Sequence, residues 1–173
     1  MAVYVSSLVT GGWTLTGIFS ITGSAALDQL STYPRLLLHV FGHTSTTHLF
    51  SNLIVFLLVG PLLEETYGPI LLVILSVITA ILTGLIMIFF FSGTLAGASG
   101  IVFAFIILSS FANAKTGTIP LTFILISLIF LGGEIIRALG GHDQIAQFAH
   151  IAGGILGGFA GFFLARRAES PWR

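Results

Sequence analysis

The fold is decided by residues 66–114, which read TYGPILLVILSVITAILTGLIMIFFFSGTLAGASGIVFAFIILSSFANA and contain no Asp, Glu, Lys or Arg. A helix needs about 20 apolar residues to cross a hydrocarbon core ~30 Å thick. The stretch is long enough for two such helices, and Ser92-Gly93-Thr94 supplies a turn between them. It therefore predicts two consecutive membrane helices.

Charged residues are scarce in the whole chain. Lys and Arg number 6 and Asp and Glu number 6, together 7% of 173 residues, where a soluble domain has roughly 25%. Hydrophobic residues reach 55%, and the mean hydropathy is +1.08. This composition excludes an ordinary soluble domain and a disordered chain, and the lack of Cys excludes a disulfide scaffold. Balanced charge argues against a nucleic-acid partner. We expect a single polytopic membrane domain over residues 1–173.

The gaps between charged residues predict an all-α protein with six transmembrane helices, at about 1–20, 46–64, 69–91, 99–113, 119–138 and 147–165. Glycines interrupt the first segment, so we expect a short or truncated helix followed by an irregular loop from about Gly11 to Tyr33. The fourth span corresponds to roughly 22 Å of helix at ~1.5 Å per residue. We therefore expect it to be recessed, with one end inside the membrane.

The positive-inside tendency gives the expected orientation. Both termini are then cytoplasmic, and the loops around Ser92 and His142 face the other side. In this orientation the cytoplasmic side has four basic residues, Lys115, Arg166, Arg167 and Arg173. The opposite side has two, Arg35 and Arg137.

Polar groups inside membrane spans are costly, so each is a candidate for function. Ser99 lies in Gly97-Ala98-Ser99-Gly100 at the start of the fourth span. The N–H groups at a helix N-terminus can stabilise an oxyanion, so Ser99 is a candidate nucleophile. The alternative is a serine that only caps the helix.

His150 opens the last span and precedes Gly153, Gly157 and Gly161. Small residues at this spacing let two membrane helices pack closely. If the glycine face packs on the Ser99 helix, His150 reaches Ser99 as a general base. The alternative is an interfacial histidine at a helix end.

His48 and Asn52 are four residues apart and share one face at the start of the second span. They are candidate oxyanion donors, and the alternatives are a polar helix start or a metal pair. Neutral histidines without a carboxylate or thiolate make a poor metal set, so we predict no metal and no cofactor. A serine, a histidine base and two donors are the parts of acyl transfer. No Asp or Glu lies in the Ser99 or His150 spans, which predicts a dyad and not a triad.

Three motifs follow one another along the chain: His48-x-x-x-Asn52, Gly97-x-Ser99-Gly100 and Ala149-His150-x-x-Gly153. In this order they resemble the motifs of the rhomboid family of intramembrane serine proteases, and the resemblance covers about residues 32–165. The resemblance implies a six-helix bundle with a short recessed fourth helix. It also implies Ser99 as nucleophile, His150 as general base, and an oxyanion hole formed by His48, Asn52 and the Ser99 N–H. The substrates would be transmembrane proteins of the cell membrane, cleaved at a site open toward the extracytoplasmic face of the lipid bilayer.

Other positions match the family more loosely. Phe103 follows Ser99 by four residues, where the family has an aromatic that packs on the histidine; the alternative is ordinary packing. His39 and His43 are expected to structure the loop between the first two spans. Pro34 precedes Arg35 where the family often has tryptophan, and His142 and Asp143 are expected in a cap over the site.

Two other classes of protein fit the composition. One is a non-catalytic rhomboid-like protein that binds membrane proteins, which would keep its function without Ser99. The other is a small transporter, which would usually have broken helices in two related halves. We find no repeat between residues 1–90 and 91–173.

Overall fold

The computed structural model of the chain describes residues 1–112 and 144–168, and the single positions 124, 128, 132 and 136; the side chains of 144 and 165–168 are not included. The loop with His142 and Asp143 lies outside the described residues, as does nearly all of the predicted fifth span, 119–138. The six-helix count therefore stays a prediction.

Residues 1–112 and 144–168 form seven helices and two short strands. In chain order they are α1 (Ala2–Val9), α2 (Trp13–Gly17), β1 (Ile21–Thr22), α3 (Thr32–Leu38), α4 (Thr46–Tyr67), α5 (Pro69–Phe90), β2 (Thr94–Leu95), α6 (Ser99–Ala112) and α7 (Gln144–Ala168), with a 3-10 turn at His39–Phe41 after α3.

Three of these helices are long and apolar enough to cross a membrane, over Thr46–Tyr67, Pro69–Phe90 and Ile145–Leu164. They agree with the predicted spans at 46–64, 69–91 and 147–165. Apolar side chains cover their outer surfaces, as at Leu57, Ile70 and Phe159. These features are those of a multi-pass membrane protein. The apolar helix α6 is described as far as Ala112, so its predicted recessed end is not tested.

The N-terminal segment forms two short helices and not one span. Gly11 and Gly12 have φ angles of 61° and 92°, a left-handed backbone that ends α1 before α2 begins. The loop predicted to be irregular from Gly11 to Tyr33 thus contains α2, β1 and the first turn of α3. The guanidinium of Arg35 donates to the carbonyl oxygen of Gly17 and ties α3 to α2.

One residue, Gly68, connects α4 to α5, with φ of 81° and its N–H donating to the Glu64 carbonyl at 2.9 Å. The two helices therefore run in opposite directions. The end of α5 is followed by β2, which pairs antiparallel with β1 in the register Ile21 with Leu95 and Thr22 with Thr94. This pairing holds the segment before α6 against the N-terminal region.

The helix α6 lies at the centre of the bundle. Every residue from Ser99 to Ile106 is buried, and so are Leu108 and Ser109. Its apolar side chains form the main core with α4 and α5, and α7 packs along it most extensively. A helix that is apolar on all sides suits such a position. The starts of α4, α6 and α7 and the end of α5 meet at one end of the bundle.

Candidate active site

Ser99 is the first residue of α6 and is 8% exposed. Gly97, two residues earlier, has φ of 136°, which a residue with a side chain rarely adopts. The chain turns sharply there and enters the helix, and the Val102 N–H donates to the Ala98 carbonyl at 3.0 Å. The first N–H groups of a helix have no intrahelical acceptor, so those in the first turn of α6, where Ser99 lies, can serve as donors to an anion.

The helix α7 packs closely on α6 next to Ser99 and His150. A Cβ on Gly153 would overlap the carbonyl oxygen of Gly100, and one on Gly157 would overlap that of Ala104. A Cβ on Gly100 would in turn lie 3.2 Å from the carbonyl oxygen of Ala149. The residues beside Ser99 and His150 are thus in backbone contact, as the predicted glycine face requires.

The rings of Phe103 and His150 are stacked, with centroids 4.3 Å apart and planes 8° from parallel. Phe103 is one turn after Ser99 on the same face of α6. The stack therefore places the imidazole of His150, which is 5% exposed, over the face of α6 that also carries Ser99.

His48 lies against the turn that leads into α6. A Cβ built on Gly97 would be 2.6 Å from Cε1 and 2.9 Å from Nε2 of His48. Ser45 caps α4, and its Oγ accepts from the His48 N–H at 3.1 Å, which fixes the first turn of that helix. The imidazole of His48 is thus beside the chain two residues before Ser99.

Asn52 is 3% exposed and lies one turn after His48. Its Nδ2 donates to the His48 carbonyl oxygen at 3.0 Å, and its buried Oδ1 has no hydrogen-bond partner. An amide nitrogen carries two N–H donors. One is used on the helix itself, so Asn52 has a single N–H to offer to an oxyanion.

His39 holds the same turn through two hydrogen bonds that sequence reasoning did not foresee. Its carbonyl oxygen accepts from the Gly97 N–H at 2.9 Å, and its Nε2 lies 3.1 Å from the Ala80 carbonyl of α5. A carbonyl can only accept, so Nε2 carries the proton. Burial lowers the pKa of His39, and the bond to Ala80 opposes this. The spacing of the histidines was the only signal in the sequence for this role.

The carboxylates in the described ranges differ from the candidate site residues in exposure. Asp28, Glu64 and Glu65 are all exposed. No group of three or more metal-ligating side chains is found within residues 1–112 and 144–168 or at the four single positions. The groups available for a reaction are therefore the Ser99 hydroxyl, the His150 imidazole and the N–H donors around them.

A model of the rhomboid domain matches residues 30–167 of this chain. Rhomboid protease GlpG of Haemophilus influenzae is 28% identical over 138 residues, which are 78% of this chain and 71% of that protein. Rhomboid protease GlpG of Yersinia pestis (strain Pestoides F) is 25% identical over 172 residues, or 97% of this chain. The chain spans 60% of the length of the Yersinia protein.

Proposed function

Because the chain belongs to the rhomboid family, we propose that it is an intramembrane serine endopeptidase that cleaves transmembrane segments of membrane proteins. The observation that carries the proposal is the backbone contact between Gly153 and Gly100, which brings the ends of α6 and α7 that bear Ser99 and His150 together. Both residues are buried, and the Phe103 stack orients the imidazole.

In the proposed mechanism, the Oγ of Ser99 attacks the carbonyl carbon of the scissile peptide while His150 takes the hydroxyl proton. The negative charge that forms on the carbonyl oxygen is stabilised by the N–H groups at the start of α6 and by His48 and Asn52. His150 then gives its proton to the leaving amine. Water, activated by the same imidazole, hydrolyses the acyl-enzyme and releases Ser99.

The proposed substrate is a transmembrane helix that can unwind near the site, because a helical peptide hides its carbonyl carbons from a nucleophile. The site lies at the end of the bundle where α4, α6 and α7 begin. By the distribution of basic residues, we place this end at the extracytoplasmic face of the cell membrane.

The test is cleavage of a transmembrane model substrate by the purified protein in detergent and in liposomes. Ser99→Ala and His150→Ala should each abolish cleavage, and the double variant should be no worse than either single one, because the two residues act as a unit. Ser109→Ala is the matched control: this serine is also buried on α6, and its Oγ donates to the Ile106 carbonyl. It should keep full activity.

Two further outcomes separate the alternatives. A fluorophosphonate should label Ser99, and EDTA should leave cleavage intact. Persistent cleavage by Ser99→Ala, or loss with EDTA that Zn²⁺ restores, contradicts the serine mechanism. Retention of a membrane-protein partner that is equally strong in Ser99→Ala, with no cleavage by the unmodified protein, would indicate the non-catalytic binder.

A further inference from the structure

His43 is a buried imidazole that the proposed mechanism does not use. It lies between the 3-10 turn and α4, and it is 7% exposed. Its Nδ1 is 3.3 Å from the carbonyl oxygen of Phe41, and a carbonyl only accepts, so Nδ1 carries a proton. Its buried Nε2 has no hydrogen-bond partner. The ring is therefore suited to the neutral form with the proton on Nδ1.

The charges around His43 favour the same form. Burial lowers the pKa of His43 to about 4, with a further contribution from the charge of His48; the hydrogen bond to Phe41 opposes the shift, and the amino group of Met1 adds weakly to it. His48 and this amino group are the charges acting on His43 within the described part of the chain. His43 thus stays neutral near pH 7.

The neutral ring of His43 touches the ring of His48. Their centroids are 5.1 Å apart and the planes are inclined at 66°, an edge-to-face contact. His48 is only half-buried, so burial alone does not fix its ring. Gly97 bounds the imidazole of His48 on another side. These two neighbours therefore limit the directions in which the His48 N–H groups can point.

We propose that His43 is a positioning residue, whose ring holds the imidazole of His48 in the orientation from which it donates to the oxyanion. The inference rests on the proposed function, since it assigns His43 a part in the oxyanion hole of that reaction. Because the oxyanion exists only in the transition state, loss of this contact should lower kcat and leave KM nearly unchanged.

Two replacements distinguish the effect of the His43 ring from that of its hydrogen bond to Phe41. His43→Asn keeps a donor near Nδ1 for the Phe41 carbonyl and removes the ring, whereas His43→Phe keeps a ring and removes the donor. We expect His43→Asn to lower kcat about 2- to 10-fold, the size of an aromatic contact. His43→Phe should recover most of that loss. A kcat that instead follows the melting temperature across both variants overturns the proposal.

A double-mutant cycle tests whether His43 acts through His48. In the His48→Ala protein, His43→Asn should have no further effect on kcat, because the group that it positions is gone. An undiminished effect of His43→Asn in that background would show that His43 acts elsewhere.

A readout that does not need catalysis keeps this inference separate from the proposed function. In protein labelled with ¹⁵N-histidine, His43 should give the signals of the neutral ring with the proton on Nδ1 down to about pH 5. The His48 ring signals should shift or broaden in His43→Asn and be restored in His43→Phe. If the unmodified protein cleaves nothing, the proposed function fails, whereas unchanged His48 signals in His43→Asn refute the positioning role.

Discussion

At the scale of single residues, the stack between Phe103 and His150 is the clearest orienting contact of the proposed base. A general base must point at the proton it removes, and no described carboxylate is buried beside this imidazole. The ring of Phe103, whose centroid is 4.3 Å from that of His150, restricts the imidazole by packing.

This contact gives the first prediction. Phe103→Leu keeps a buried apolar side chain but removes the stack, so kcat should fall roughly 2- to 10-fold, as expected for an aromatic pair of about 0.5–1.5 kcal/mol. Phe103→Tyr should recover most of the loss. Cleavage kinetics in detergent measure both, and equal kcat in Phe103→Leu and the unmodified protein would show that the stack does not orient the base.

The second prediction concerns Gly97, where a side chain has no room. In Gly97→Ala the added Cβ meets the His48 ring, so His48 must move and, under the proposed mechanism, the oxyanion loses a donor. Loss of such a donor lowers kcat by roughly 10²–10³ in soluble enzymes, and we expect the lower end here because other N–H donors remain.

Gly68→Ala is the control for this change. Gly68 also has positive φ, 81°, but nothing lies within 4 Å of an added Cβ. Its ψ is 156°, a combination that essentially only glycine adopts, so the strain should cost roughly 1–3 kcal/mol of unfolding free energy and leave kcat unchanged. A similar drop of kcat in both variants would attribute the effect to backbone strain and not to His48.

At the scale of elements, the sequence predicted α4, α5 and α7 to within a few residues, because their apolar runs end at charges, Pro and Gly. It also predicted that the glycines of α7 face α6. It did not predict β1 and β2, whose two-residue pairing is set by the tertiary fold. The contact of His48 with Gly97 and the two hydrogen bonds of His39 were also missed, since they join residues far apart in the chain without any pattern in the sequence.

The third prediction tests the packing of α7 on α6. In Gly153→Ala the new methyl group overlaps the Gly100 carbonyl, so the helices must separate near Ser99 and His150. Overpacking of this kind typically costs about 1–3 kcal/mol. We expect a lower melting temperature in detergent and a drop of kcat larger than the stability loss explains.

Gly158→Ala is the matched control on the same helix. Its Cβ would lie 3.7 Å from Cγ2 of Ile107, an ordinary contact, and alanine favours a helix over glycine by about 0.5–1 kcal/mol. Stability should stay equal or rise, with full activity. If Gly153→Ala behaves in the same way, the helices are not in backbone contact.

At the scale of the whole molecule, the fourth prediction concerns the stability of the folded protein at low pH. The pKa values of His39 and His43 are lower in the folded protein than the ordinary 6.5, that of His43 being about 4. The unfolded chain therefore binds protons first as the pH falls. The stability that neutral His43 provides is complete above about pH 6.5 and is lost as the pH falls toward 4.

Melting temperatures in detergent between pH 7.5 and pH 4 measure this dependence. The midpoint should fall with pH in the unmodified protein and fall less in His43→Asn, which has no group to titrate at this position. An identical pH dependence in the two proteins would assign the acid effect to other residues.

The contact between Gly100 and Gly153 also has a consequence for biosynthesis. Ser99 leaves the ribosome well before His150, and under the proposed mechanism the hydroxyl has no base until α7 packs onto α6. A chain arrested after α6 would insert a serine that attacks nothing. The proposed protease would therefore become active only once its last described helix has joined the bundle, so incomplete copies would not degrade their neighbours in the membrane.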